Sequence, residues 1–392
     1  MRNSPLFVWL SLGLSLLSSC GNKETDGLTI PVREVDFTNK SQVTIKGVEV
    51  DTELPMGITD IMVCDSFLVF STMNPAAQVS VYSTGLEKLG DFCTQGRARN
   101  ECLSAQTLNG QIFKTDDGHV MVPLNDAHRM IRLMDVTQSV KNGYTVMSGQ
   151  RNYSTSVLGN DFGMGDNFFY IVLANDINNT LEFYESYYDF RTNERMNSIE
   201  YCERHDTGEV RRIKPFESIE NVADPTLWYG LMTKHPSRNL VVQPLRETDY
   251  MLFLDLDGKK THLIHQTGSP TLTKQKADIE VEVFERADLG SGDLGLIELV
   301  SVDKPKPPHF GDVAATESFF MVLYWGGDYS LNAPDPLTAA PELLLFDWSG
   351  KFLKSVKLDK FVGNIAFDEA EKILYGLSGR ELLYKFDLSP IF

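Results

Sequence analysis

One pattern constrains the fold of this chain more than any other. Two short apolar runs recur as a pair, the second ending about fifteen residues after the first begins. The first runs start at Ser66 (SFLVFS), His119 (HVMVPL), Phe168 (FFYIVL), Asn239 (NLVVQPL), Ser318 (SFFMVLYW) and Lys372 (KILYGLS). Their partners reach Tyr82, Met134, Tyr184, Leu254, Phe346 and Phe386, at offsets of 16, 15, 16, 15, 28 and 14. The fifth offset is long because residues 326–340 (GGDYSLNAPDPLTAA) are inserted. Runs of this length bounded by Gly, Asn, Asp or Pro read as strands, and no helical period is sustained beside them. A small antiparallel sheet cannot bury both faces alone. Stacking copies around an axis buries them and leaves only short edges. Six hairpins therefore predict an all-β, six-bladed propeller over residues 28–392. At about 62 residues per copy, against ~40–45 in a WD repeat, long connections are required, and residues 190–235 and 268–316 are the candidates. A β-sandwich with a second domain is the alternative.

The last copy supplies strands near 363–367, 372–378 and 382–388 and no fourth. Gln42–Val50 (QVTIKGVEV) has strand composition and no hairpin partner. It is expected to pair outside 382–388 and close the ring.

Residues 1–19 read as a targeting segment. Arg2 supplies the cation, and Leu6–Leu17 is an apolar stretch of signal-peptide length, short for a membrane span. It ends in Leu17, Ser18, Ser19 and Cys20, which looks like the lipobox of bacterial lipoproteins. That resemblance implies cleavage before Cys20 and lipidation of its thiol. Residues 20–27 then form a polar tether.

The C-terminal residues 343–360 (LLLFDWSGKFLKSVKLDK), 365–378 (IAFDEAEKILYGLS) and 382–388 (LLYKFDL) resemble the TolB-like six-bladed propeller lipoproteins of Gram-negative bacteria. Residues 92–101 (FCTQGRARNE) resemble that family's Gly-rich loop after the first blade, with Ala98 and Arg99 in place of its second Gly and its Pro. The resemblance spans most of residues 40–392. It implies the propeller fold and an envelope location, as an outer-membrane-anchored lipoprotein facing the periplasm or the surface, and it implies no established reaction.

The 36 Lys and Arg against 54 Asp and Glu leave a net charge of −18, which argues against nucleic acid as a partner. No nucleophile elbow, metalloprotease helix, P-loop or dinucleotide fingerprint occurs. Of five cysteines, Cys64, Cys93, Cys102 and Cys202 remain beyond Cys20, with no C-x-x-C spacing. Cys93 and Cys102 are the one close pair; a disulfide and two free thiols both remain open. Cys64 reads as buried and reduced. His262 and His265 fall on a strand, where a spacing of three separates them to opposite faces. Asp255–Lys259 and Asp347–Lys351 read as hairpin turns rather than calcium loops. The catalytic, metal and cofactor expectations are accordingly none.

Antiparallel alternation puts the 326–340 insertion and the 94–101 loop on one face of the disc. Arg97, Arg99, Trp325 and Tyr329 are the candidate ligand-binding residues there, since Arg and aromatic side chains are enriched at binding hot spots. The expectation is a monomeric, lipid-anchored envelope protein that binds a peptide, a glycan or a protein partner without chemistry. The alternative is an envelope metal-dependent hydrolase or lyase with its site in the propeller channel.

Overall fold

The computed structural model describes residues 30–37, 43–108, 110–126, 130–152, 167–173, 180–186, 198–204, 210–213, 230–258, 260–271, 279–285, 296–302, 308–327, 340–379 and 381–392. The leader, Cys20, the tether and Tyr329 lie outside them. The chain is a β-propeller, with the described strands grouped into six sheets of four or five strands and one two-stranded sheet. In chain order, the first sheet runs Ile58–Cys64, Phe67–Thr72, Val79–Ser83, Lys88–Phe92. The second is built on Val120–Asp126 and Met130–Asp135, with Ala105–Thr107 on its inner side. The third is Asn167–Leu173, Thr180–Ser186, Ser198–Arg204, Val210–Ile213.

Thr233–Lys234, Leu240–Pro244, Tyr250–Asp255 and Lys260–Gln266 build the fourth sheet. Phe310–Ala315, Phe319–Tyr324, Glu342–Asp347 and Phe352–Leu358 build the fifth. Asn364–Asp368, Ile373–Ser378 and Leu382–Asp387 build the sixth.

Every repeat hairpin read from the sequence is present. The two long connections differ from expectation. Residues 190–235 carry Ser198–Arg204 and Val210–Ile213, ordinary strands of the third sheet. Residues 268–316 carry an extra antiparallel hairpin, Ile279–Glu285 with Leu296–Val302. The all-strand reading also missed a helix, Val136–Asn142, capped by Asp135, whose side chain accepts from the Gln138 amide, and ended by Gly143 in the left-handed region.

The buried apolar residues sit between neighbouring sheets. One cluster joins the fifth and sixth sheets through Leu343, Leu345, Leu374 and Phe386. Others join the first and second, the fourth and fifth and the sixth and first. In these four pairs each sheet covers its neighbour's apolar face, at about 1.5–3 kcal/mol per large side chain buried.

The N-terminal segment does not pair as one unit. Val32–Val35 joins the fourth sheet, parallel to Lys260–Gln266. Thr44–Ile45 joins the fifth, parallel to Phe352–Leu358. Only Gly47–Glu49 pairs antiparallel with Leu382–Asp387 of the sixth. The segment covers three consecutive outer edges, which would otherwise show unpaired backbone groups. Phe37, fully buried, wedges between the fourth and fifth sheets, edge-on to Tyr324 and Phe346 at 5.6 Å each. No helix among the described residues is long and apolar enough to cross a membrane.

Candidate functional site

The innermost strands lie side by side around the axis. Ile58–Cys64 abuts Asn364–Asp368, which abuts Phe310–Ala315, which abuts Thr233–Lys234. Two of these strands carry one extra residue each. Ile58 and Asp60 face Thr72 and Ser71, so Thr59 is surplus. Phe310 and Val313 face Tyr324 and Val322, so Gly311 and Asp312 stand against one partner residue. A bulge bends the strand and re-aims a side chain. Each bulge places an aspartate on the cavity wall, Asp60 next to Thr59 and Asp312 next to Gly311.

Asp60 and Asp312 line one cavity of about 430 Å³ with Asn364, Gln106, Thr107, Ser104 and Gln95. Asp60 is held by the Thr107 hydroxyl (2.5 Å to Oδ2) and the Ile61 amide (2.8 Å to Oδ1). Asp312 Oδ2 accepts from the Ile365 amide at 2.8 Å, tying the fifth sheet to the sixth. Both carboxyls are surrounded by protein yet remain in part open to water, as a channel wall allows. Burial pushes Asp312 up to about 8, and the facing Asp60 carboxylate adds to the rise. Burial also raises Asp60, against the hydrogen bonds from Thr107, Ile61 and Gly110. No Lys, Arg or His is among the described residues of this cavity's lining. The pair therefore retains a proton near neutral pH, since two like charges in poorly solvated surroundings resist joint ionisation. Protonated, it presents both a donor and acceptors.

Trp325 works from behind this site. Its ring packs on Gly311, where a Cβ would lie 2.4 Å from the indole, and its amide donates to the His309 carbonyl at 2.8 Å. It is half-buried beside the core between the fifth and sixth sheets. Arg97 and Arg99 are exposed. The loop that carries them reaches the cavity through Gln95. The loop is anchored by a residue that sequence reasoning passed over. The guanidinium of Arg132, 5% exposed, donates to the carbonyls of Arg99 and Glu101 and pairs with buried Asp126 at 3.4 Å. The available signal was a lone cation inside the apolar strand Met130–Asp135.

A second polar cluster lies on the same face. Asp249 accepts from Tyr324 (2.9 Å) and Ser269 (2.6 Å), and His309 Nδ1 lies 2.6 Å from it. Burial raises Asp249, but these hydrogen bonds outweigh it and hold the carboxyl below its usual range. Ser269 bonds the aspartate rather than the imidazole, so this is a junction between the fourth and fifth sheets and not a nucleophilic triad. His262 and His265 lie on Lys260–Gln266 as expected, stacked on Phe253 and Tyr250. Both aspartate turns are hairpin turns, with Asp255 Oδ1 accepting from Gly258 and Asp347 Oδ1 from Ser349 and Lys351. Cys64 is half-buried, while Cys93 and Cys102 are buried; all three are free thiols. Among the described residues no three His, Cys, Asp or Glu side chains converge.

No family model matches the chain, and no curated protein matches it. Solved structures similar to it include a member of the DUF4221 family from Bacteroides vulgatus, at 9% identity over 88% of this chain and 98% of that one, TM-score 0.49. A luciferin-regenerating enzyme aligns at 11% identity over 88% and 96%, TM-score 0.41. A catalytically inactive virginiamycin B lyase from Staphylococcus aureus with quinupristin aligns at 10% identity over 88% and 100%, TM-score 0.41.

Proposed function

We propose that this chain is a lipid-anchored, six-bladed envelope propeller that binds the end of a glycan or another small hydroxyl-rich ligand at the polar end of its channel. The observation that carries this reading is the coincidence of two bulged inner strands with two half-buried aspartates on one cavity. A pair of carboxyls with raised pKa values, flanked by Asn364, Gln106 and Thr107, matches the mixed donors and acceptors of vicinal hydroxyls. The cavity falls within the ~300–1,000 Å³ of small-molecule sites. Six sheets of four or five strands support the blade count. The pairing of Gly47–Glu49 with Leu382–Asp387 supports closure by the N-terminal segment. The TolB-like affinity rests on the motifs of residues 343–388.

The 94–101 loop, which carries the exposed Arg97 and Arg99 and reaches the cavity through Gln95, offers a rim where a larger partner would meet the ligand. The rival reading, a hydrolase or lyase, draws support from the same pair, because one protonated and one ionised carboxyl can serve as acid and base.

A panel of oligosaccharides and polyols in a thermal-shift assay tests the binding. A saccharide-dependent rise in midpoint that Asp60→Asn with Asp312→Asn abolishes is the expected result. Turnover of the bound sugar would favour the rival, and silence across the panel would sink the glycan reading. Anchoring is tested separately: the mature protein should partition into detergent through acyl chains worth ~0.8 kcal/mol per buried methylene, and Cys20→Ala should not.

A further inference from the structure

We infer that Cys93 and Cys102 are a reversible dithiol whose closure to a disulfide locks the 94–101 loop at the mouth of the channel. The two residues bracket that loop, and its backbone already brings its ends together. The Cys102 amide donates to the Thr94 carbonyl at 3.1 Å, the Gly96 amide donates to the Cys102 carbonyl at 3.0 Å, and Gln95 forms a bridge with Cys102. Both thiols are fully buried in the core between the first and second sheets. The Cys93 thiol neighbours the Cys102 sulfur and donates to Met134 Sδ at 3.7 Å. Cys93 holds φ at +57°, a region that side chains other than Gly rarely occupy.

The pair is chemically asymmetric. The neighbouring Cys93 thiol and, against burial, the Arg132 guanidinium 3.7 Å from its sulfur hold the Cys102 thiol below its usual range. Cys93 is raised well above that range by the neighbouring Cys102 sulfur and by burial. Thiolate is the reactive form, so Cys102 is the attacking sulfur. Once the 94–101 loop opens to expose it, Cys102 displaces one thiol from a small-molecule disulfide and becomes the mixed disulfide. Cys93 then attacks the Cys102 sulfur and releases the second thiol. Two protein thiols are oxidised, one external disulfide is reduced, and the two protons leave on the released thiols. Cys64, pushed up to about 11 by burial and by Asp65, is a poor competitor.

The consequence reaches the channel because Gln95, Leu103 and Ser104, beside the two cysteines in sequence, line the cavity of Asp60 and Asp312. The test is carried out on the full chain with oxidised glutathione, followed by alkylation of the remaining thiols and non-reducing peptide mapping. The expected product is a Cys93–Cys102 cross-linked peptide with Cys64 alkylated. The midpoint should rise by roughly 5 °C and fall back on reduction. Cys93→Ser and Cys102→Ser should each lose that rise. Recovery of both residues as alkylated thiols after oxidation overturns the inference, as does pairing of either with another cysteine. Mapping the wild-type chain decides the matter even where a variant folds poorly.

Discussion

The two ends of the channel are built from the same inner strands and differ in almost everything else. Toward the start of those strands Asp60, Asp312 and Asn364 line the cavity of about 430 Å³. A few residues on, Ile61, Val63, Val313, Ala315, Ile365 and Phe367 line one of about 100 Å³. The narrow end holds Lys234, whose amine burial lowers to about 8 and whose Nζ donates to the His235 carbonyl at 2.9 Å. Composition along the strands does not account for the contrast, because both stretches belong to continuous, half-buried strands. The bulges at Thr59 and at Gly311–Asp312 account for it. They interrupt the pleat at the wide end, turn a carboxyl inward, and leave the regular strand beyond to fill its end with apolar side chains.

The most disruptive experiment removes the segment that spans three sheet edges. Deleting residues 28–50 should collapse both ends together and lower the thermal midpoint greatly. Phe37→Ala alone should cost about 3–5 kcal/mol, measured by denaturant unfolding, given its full burial. An unchanged midpoint in the deletion would show that the edges need no cover.

Deleting Thr59 sharpens the comparison at the wide end alone. Restoring the regular register moves side chains on one side of the cut to the opposite face. Ligand binding should fall at least tenfold, with about 1–3 kcal/mol of stability lost. Retained binding would mean that the bulge does not aim Asp60.

The carboxyl pair makes a smaller, pH-dependent contribution. A carboxyl whose folded-state value is raised stabilises the fold through its bound proton. That stability is fully present below the unfolded value of about 3.8 and is lost as pH rises through about 8 for Asp312. The free protein should therefore lose midpoint between pH 4 and pH 8, and Asp312→Asn should flatten that slope and equal or exceed wild type at pH 8. A wild-type profile already flat over this range would place the proton elsewhere.

The smallest effect belongs to the rim. Arg97→Ala with Arg99→Ala should change stability by no more than about 0.5 kcal/mol, because both side chains are exposed. The backbone of the loop is held instead by Arg132. A loss of binding to envelope extracts with stability intact would extend the wide-end site onto the rim.

The hairpins were legible because a half-buried strand carries its own period and its turn residues carry their own geometry. SFLVFS and VSVY, LLLFD and the aspartate–glycine turns could be read in place. The helix at Val136–Asn142 was legible only through its caps, Asp135 and Gly143, since one turn or two cannot establish a period. The path of residues 32–49 across three sheets was hidden. A strand's composition says that it needs a partner and not which edge supplies one. Of the candidate site, Trp325 was singled out as a surface contact and proved to be the packing behind Asp312. The two aspartates were passed over among many acids.

By itself the sequence determined the strands, the turns and their repetition, all set by interactions within about twenty residues. Only the tertiary structure decided that Asp60 and Asp312, from the first and fifth sheets, face one cavity. The bulges that aim them are mismatches between paired strands, and a mismatch exists only once both strands are in register. Their retained proton follows from that meeting, because burial and mutual repulsion belong to the assembled channel and to neither residue alone.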